Sequence, residues 1–435
     1  MSIDRKLFDF VLVGGGLQSG LIALALRHYR PDVSIAIVER SSRIAGNHTW
    51  SFHTSDISER SGAWMQQLKQ HAWDSYSIRV GGRERVIGIG YQTISSEHFA
   101  NVLEASFETG HRCEILTDCN VAALSQDAVV LDDERELKAK CVIDNRGPDE
   151  ATRSHARSKA FPGGFQKFWG FELRLPKDWP EEGPAIMDDR VDQADGFRFI
   201  YSLPFEPRRV LVEDTRFSNT PTLDRSECFL QVDQYLRTMS AGRLTIEQCE
   251  ILREESGVLP MPYEGFYPAG SQSGVLSGGY RGGWFHAATG YSFPLAIRFA
   301  EMVATTPLEQ LRHTIAAEAK AECGRARFAR FLNRLLFELV SPRTRFQIFR
   351  RFYRVLSEDR IGRFYRHQFS WGDVARIVIG VPPTGLRPVQ FLRSFSRKVG
   401  EVESVTGSDE CERDRKGELF EKTPDSRIRR QEVKS

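Results

Sequence analysis

Residues 8–13 form an almost uninterrupted apolar run of strand length that ends on Gly14-Gly15-Gly16. Apolar positions then recur at helical spacing over 17–30, where Leu21, Ile22, Leu24, Ala25 and Leu26 make a broad face, until Pro31-Asp32 interrupts the pattern. A second apolar run, 33–38, closes on Glu39, so the start of the chain reads as a βαβ unit. Helical spacing returns over 97–107, and short strand patterns follow at 113–116, 121–124, 129–131 and 139–143. The last of these runs into the charged turn Asp144-Asn145-Arg146-Gly147-Pro148. Residues 40–85, rich in Ser, Gly, His and Trp, carry no clear period and read as loop-heavy. Between 161 and 260 strand-like runs such as 197–203 and 210–213 alternate with turns, which predicts an inserted antiparallel sheet. A Gly-rich stretch within 274–303 leads into a helix from Pro294, and 308–372 reads as helical throughout. No internal repeat interrupts this order.

Composition narrows the class. With 435 residues, 40% hydrophobic and 27% charged, the chain is long enough for two joined domains or one large composite domain. It is too apolar for a mainly disordered chain, and its glycines follow no collagen-like period. The mean hydropathy of −0.39 argues against a polytopic membrane protein. No apolar stretch reaches the roughly 18–20 residues that span a bilayer. Seven cysteines, an odd number without a C-x-x-C pair, suit reduced thiols in the cytosol better than disulfides or a structural zinc, and no metal site is expected. Met1 to Lys6 lead straight into the first strand, with no signal-peptide pattern, so the sequon at Asn47-His48-Thr49 has no secretory context. The net charge of +2 carries no nucleic-acid signature.

Candidate chemistry begins at the glycine turn. Glycines between a strand and a helix let a pyrophosphate approach the backbone, and the helix N-terminus offers unpaired N–H groups at its positive end. Gly14, Gly15, Gly16 and Leu17 occupy those positions, and Glu39 stands where a carboxylate can bind a ribose diol. The third glycine of G-x-G-x-x-G would fall on Ser19, and here Gly20 follows it. A plain turn is the alternative. Glu39 disfavours a 2′-phosphate, which leaves FAD or NAD. Far downstream, residues 278–294 again place small residues at a helix start, as a flavin folded across a domain would require.

At these residues the sequence resembles the bacterial lycopene β-cyclases, FAD-dependent lycopene cyclases. The resemblance rests on 13–17 (VGGGL), 46–53 (GNHTWSFH), 187–204 with its GFRFIYSLP segment, 212–215 (VEDT), 254–260 (EESGVLP) and 285–294 (FHAATGYSFP), in order from about residue 8 to about 385. It implies an α/β protein: a Rossmann-like FAD-binding domain with an inserted antiparallel β-sheet substrate domain and a helical C-terminal region. The implied domains are FAD-binding at 1–85, 97–155 and 270–310, substrate sheet at 86–96 and 156–269, a membrane-facing helical region at 311–399, and a disordered tail at 400–435. It also implies reduced FAD, with NADPH or NADH as electron source, in a reaction without net redox change. Each linear end of lycopene is protonated, closes to a six-membered ring and loses a different proton, giving γ-carotene and then β-carotene.

That chemistry needs an acid in a dry pocket, because burial keeps a carboxyl protonated at neutral pH. On spacing alone Glu213 is an ordinary strand-end carboxylate. The resemblance makes it the general acid and base, with Asp214 orienting it. Trp50, Phe52, Phe168, Trp169, Phe171, Phe197, Phe199, Tyr201 and Trp284 are candidates to face a carbocation, or simply core residues. The resemblance further implies cofactor contacts from Gly20, His48, Arg146, His286, Thr289, Gly290 and Tyr291.

Between 325 and 371 lie twelve Arg, no Lys and three acidic residues, with eleven aromatics interleaved. That combination suits anionic lipid, an RNA-binding face or a solvated helix over a core. An apolar carotenoid resides in a bilayer, so the resemblance favours a cytoplasmic protein attached peripherally to the inner face of the cell membrane. The tail from 400, with ten acidic and eight basic residues, has a disordered composition. Two rivals keep parts of this reading. One is an FAD-dependent monooxygenase or reductase on an apolar isoprenoid; the other is a non-catalytic, flavoprotein-like lipid carrier. Oligomeric state is not legible.

Overall fold

The computed structural model describes residues 7–109, 112–147, 161–264, 271–272 and 274–379. The expected tail at 400–435 lies outside the described residues. The βαβ unit is present as β1 (Leu7–Val13), α1 (Leu17–Tyr29) and β2 (Ile35–Val38). β1 pairs in parallel with β2 and with Glu136–Asp144, and the parallel set continues to Cys113–Leu116 on one side and Val275–Ser277 on the other. Such strands are covered on both faces, so they read as unbroken apolar runs. Phe10 and Leu12 face a core shared with α1 and the helices Ser96–Glu108 and Phe293–Thr305. Val11 and Val13 face a second core closed by the hairpin Val121–Leu124/Ala128–Leu131.

Gly20 lets α1 approach its neighbour. A Cβ there would come within 2.3 Å of the fully buried Phe99 ring. Gly20→Ala should therefore destabilise by about 1–3 kcal/mol from overpacking, offset by at most about 1 kcal/mol of helix propensity. Chemical denaturation would show this as a lower midpoint, and an unchanged midpoint would contradict it.

The second sheet has seven strands in the order Glu250–Pro262, Gly163–Arg174, Arg209–Ser218, Phe197–Glu206, Ala185–Asp188, Tyr76–Val80, Arg83–Ile87. All neighbours are antiparallel except Ala185–Asp188 with Tyr76–Val80. The excursion expected at 86–96 thus begins earlier, at Tyr76. Tyr91–Ser95 belongs instead to a three-stranded sheet with Thr49–His53 and His71–Trp73. The stretch 40–85, expected to be loop-heavy, holds the strands Thr49–His53, His71–Trp73 and Tyr76–Val80 and the helix Glu59–Met65. Val210, Val212 and Ile200 pack under the helix Arg225–Met239, and the opposite face of the sheet looks into a cavity.

Helix Leu308–Arg334 ends in a single π-type turn at Leu335–Leu339. The rest of the region is not one continuous helix. Pro342, which has no N–H to donate, marks the first break, and the chain resumes as Phe346–Val355, Glu358–Tyr365 and Trp371–Val378. Ser370 opens the last of these with a reciprocal cap to Asp373. The arginines here are not a uniform outer face. Arg345 is buried, donating to the Leu336 and Phe217 carbonyls, while Arg360 and Arg363 clamp Asp373. Phe349 turns inward and stacks on Phe217 at 4.9 Å between ring centres. Among the described residues, no helix is long and apolar enough to cross a membrane.

Candidate active site

One cavity of about 950 Å³ runs from the glycine turn to the seven-stranded sheet. At its first end Gly14, Gly15, Gly16 and Leu17 open α1, whose N-cap, Gly16, has no side-chain cap, so the helix amides stay available. Gly14 has φ +97°, and a Cβ on Gly15 would lie 2.9 Å from Ile44 and 3.0 Å from Glu39. Gly14 and Gly15 are thus positions that favour glycine. Glu39 accepts hydrogen bonds from the Gly15 and Ser41 amides, at 2.7 and 2.9 Å, which fixes its carboxylate at the cavity wall. Arg146 is held there by a two-pronged pair with Asp144, at 2.9 and 2.8 Å. Helix Phe293–Thr305 also begins at the cavity without a side-chain cap, behind Thr289, Gly290 and Tyr291. Gln18 links the two helix starts, donating to the Ala296 carbonyl and accepting from the Gly279 amide. Two uncapped helix N-termini, a glycine cradle and a carboxylate fixed beside it fit a dinucleotide such as FAD.

Glu213 lines the other end. Strand alternation sends Glu213, Thr215 and Phe217 into the cavity, beside Phe199 and Tyr201 of the neighbouring strand. Tyr91, Phe349, Tyr353 and Tyr365 add further aromatic rings to the lining. Burial, chiefly, and then the adjacent Glu255 carboxyl push Glu213 well above the usual carboxylate range; Arg253 opposes this. Glu213 and Glu255 stand on either side of Gly170 in the sheet, and both line the cavity. Arg253 in turn holds Glu255 at 2.8 Å. His48 also lines the cavity, and burial lowers its imidazole below the ordinary value, with Glu255 opposing and Arg253 adding.

Eleven sequence-chosen residues therefore meet in one cavity: Gly14, Gly15, Gly16, Leu17, Glu39, His48, Arg146, Glu213, Thr289, Gly290 and Tyr291. Three do not. Gly20 packs on Phe99. His286 is buried behind the loop, its Nδ1 accepting from the Ala288 amide and its ring 4.6 Å from that of His367. It shapes the turn that presents Thr289–Tyr291, since its carbonyl accepts from the Thr289 and Gly290 amides. Asp214 points to the opposite face of its strand, bound to Arg198 at 2.7 and 2.6 Å and to Arg216 at 2.8 Å. It cannot orient Glu213 by contact.

Of the candidate aromatics, Trp50, Phe168, Phe199 and Tyr201 line the cavity; Phe52, Phe171, Phe197 and Trp284 are core, and Trp169 donates to Glu254. Glu255, Tyr91, Phe217, Phe349, Tyr353 and Tyr365 are lining residues not chosen from the sequence. For Glu255 a signal existed: it lies in the EESGVLP segment, on the same alternation as Leu259.

The fold is shared with solved FAD-dependent monooxygenases and reductases. The structure superposes with a TM-score of 0.58 on a geranylgeranyl bacteriochlorophyll reductase-like protein of Thermoplasma acidophilum (13% identity, covering 89% of this chain and 99% of that one). It reaches 0.58 as well on p-nitrophenol 4-monooxygenase of Pseudomonas putida DLL-E4 (14% identity, 83% and 99%). Residues 9–390 match the family model described as lycopene cyclase protein. The chain is 37% identical over 381 residues to a lycopene beta-cyclase of Pantoea ananas, spanning 86% of this chain and 95% of that protein. To a lycopene beta-cyclase of Pseudescherichia vulneris it is 36% identical over 386 residues, 87% and 95%. The chain belongs to the lycopene cyclase family and is an enzyme of carotenoid cyclisation.

Proposed function

We propose that this enzyme is an FAD-dependent lycopene β-cyclase that closes the linear ends of lycopene to β-rings, through γ-carotene to β-carotene, with Glu213 as general acid and base. The observation that carries the proposal is a buried carboxyl in an aromatic wall of the same cavity that the glycine turn opens, where burial favours the protonated form. The turn at Gly14–Gly16 and the start of helix Phe293–Thr305 would hold the pyrophosphate and the flavin ring, and Glu39 the ribose. When bound in its reduced form, with NADPH or NADH as electron source, the flavin supplies negative charge to the cavity, an electrostatic and not a redox contribution.

Glu213 holds a proton at its carboxyl and delivers it to the terminal double bond. The cation formed is attacked by the inner double bond, closing the ring. The rings of Phe199, Tyr201, Phe217, Phe349, Tyr353 and Tyr365 stabilise the positive charge and exclude water that would quench it. Ionised Glu213 then accepts a proton from the ring carbon next to the cation, which sets the β-ring double bond and restores the acid. Expression in a lycopene-accumulating bacterium tests this: red pigment turning to orange cyclic product is expected, and unchanged lycopene would overturn it. Stoichiometric consumption of oxygen or of reduced nicotinamide would point to a monooxygenase or reductase instead.

The substrate must be collected from a bilayer, and the last described helix supplies an attachment point. Trp371 is 88% exposed and Ile379 73%, with Arg343, Arg354 and Arg376 exposed on the same region of chain. Aromatic and aliphatic side chains among guanidinium groups suit an anionic lipid interface. Replacing Trp371 and Ile379 together by serine should weaken sedimentation with anionic vesicles by about tenfold or more, given roughly 1.5–3 kcal/mol for each apolar side chain withdrawn from water. Equal sedimentation of variant and wild type would remove this face from consideration.

A further inference from the structure

The centre of the seven-stranded sheet contains an arrangement that a lone catalytic carboxyl does not need. Strand Gly163–Arg174 lies between Arg209–Ser218 and Glu250–Pro262, and the register sets Gly170 opposite Glu213 on one side and opposite Glu255 on the other. Residues on one row of alternate strands are about 9–10 Å apart at the backbone, and the side chain between them normally keeps them apart. Gly170 has none. A Cβ there would lie 2.7 Å from the Glu213 Cγ and 3.1 Å from its Oε1, so the Glu213 side chain occupies the space that any other residue would fill. Across that gap it meets Glu255, and both carboxyls line the cavity.

We infer that Glu213 and Glu255 work as a carboxyl pair sharing one proton over Gly170, with Glu255 the ionised member that keeps the proton on Glu213. This rests on the cyclase reading and deepens it. Two buried carboxyls facing each other across a gap with no side chain in it favour sharing one proton, since two bare carboxylates repel. Arg253 decides where it resides. Its Nη1 binds Glu255 at 2.8 Å, and its Nε binds Glu172 at 3.0 Å, so the guanidinium is fixed on the Glu255 side. The charge is therefore favoured on Glu255 and the proton on Glu213. The pair also balances the reaction. It begins with one proton, gives it to the terminal alkene carbon, stands doubly ionised beside the cyclised cation, and regains one proton from the ring carbon. No electron changes hands. Glu255 is thus a positioning residue that acts through Glu213.

The test compares wild-type holoenzyme with Glu255→Gln and Gly170→Ala by two readouts. One is the pH dependence of kcat; the other is the infrared carbonyl band of a protonated carboxylic acid, followed through a pH titration. In wild type that band should persist at neutral pH and above. Glu255→Gln removes the neighbouring charge and offers an amide N–H to an ionised Glu213. Both the alkaline limb of the kcat profile and the titration of the band should then move down by about one pH unit or more, a tenfold change in the ionisation equilibrium. Gly170→Ala wedges a methyl between the carboxyls and should shift both the same way. A lesion that is only structural would lower kcat without moving either. If wild type cyclises lycopene while Glu255→Gln leaves limb and band in place, the pair is wrong and the cyclase reading stands. If wild-type enzyme forms no ring, the cyclase reading itself has failed, and the infrared titration still decides whether the pair exists.

Discussion

Glu213→Gln should stop ring closure, lowering turnover by about 10²–10⁴-fold, the range expected for loss of a positioned general acid–base. Glutamine matches the shape of glutamic acid and can still face Glu255 across Gly170, so the cavity wall should persist and flavin absorbance be retained. Only the transferable proton is lost. The stability change should have the opposite sign. Burial and Glu255 raise the folded-state value of Glu213 well above that of an unfolded glutamate. Such a group favours folding fully below the unfolded value and loses that contribution as pH rises toward the folded one. At neutral pH the wild-type chain must therefore take up a proton to bury this side chain, and glutamine need not. Glu213→Gln should accordingly be more stable than wild type at neutral pH, with the difference shrinking in acid. Chemical denaturation at two pH values measures the sign, and pigment analysis the turnover. A variant that cyclises within a few-fold of wild type would remove Glu213 from the proton path.

The βαβ unit was legible because a parallel strand covered on both faces must be apolar throughout, and because the glycine turn that follows it has few other uses. The segment 40–85 was not legible for the converse reason. Strand Thr49–His53 has polar or aromatic residues at every position, three of them only half-buried, since most of it borders the cavity while Phe52 alone is a core residue. Such strands have neither a helical period nor a clean alternation. The pairing of Glu213 with Glu255 was hidden more deeply. Strand Gly163–Arg174 precedes both of its partners in the chain yet lies between them in the sheet, and no local pattern reports that order. Sequence adjacency misled in the other direction at Asp214. It follows Glu213 directly, and in a strand that places it on the opposite face.

Asp214 therefore calls for a different kind of experiment. Arg198 and Arg216 are 1% and 2% exposed, and each places a guanidinium nitrogen on the Asp214 carboxylate at 2.6 and 2.8 Å. Glu227 touches both arginines but is itself half exposed, so Asp214 is their buried counter-charge. Asp214→Asn keeps the volume and leaves two desolvated cations without it. Breaking a buried ion pair in this way costs about 3–5 kcal/mol. The expected result is a large fall in the denaturation midpoint and poor recovery of folded protein. Enzyme that does fold at low temperature should show the wild-type alkaline limb, because nothing at Glu213 has changed. The pH dependence of stability gives an independent check. Hydrogen bonds and charge from Arg198 and Arg216 hold Asp214 below the usual carboxylate range, outweighing its burial. Its contribution is complete above the unfolded value and is lost as pH falls through the depressed folded one. Wild type should thus lose stability in acid more steeply than Asp214→Asn. A variant with a wild-type midpoint and a displaced pH–rate limb would place Asp214 in the chemistry and not in the scaffold beneath it.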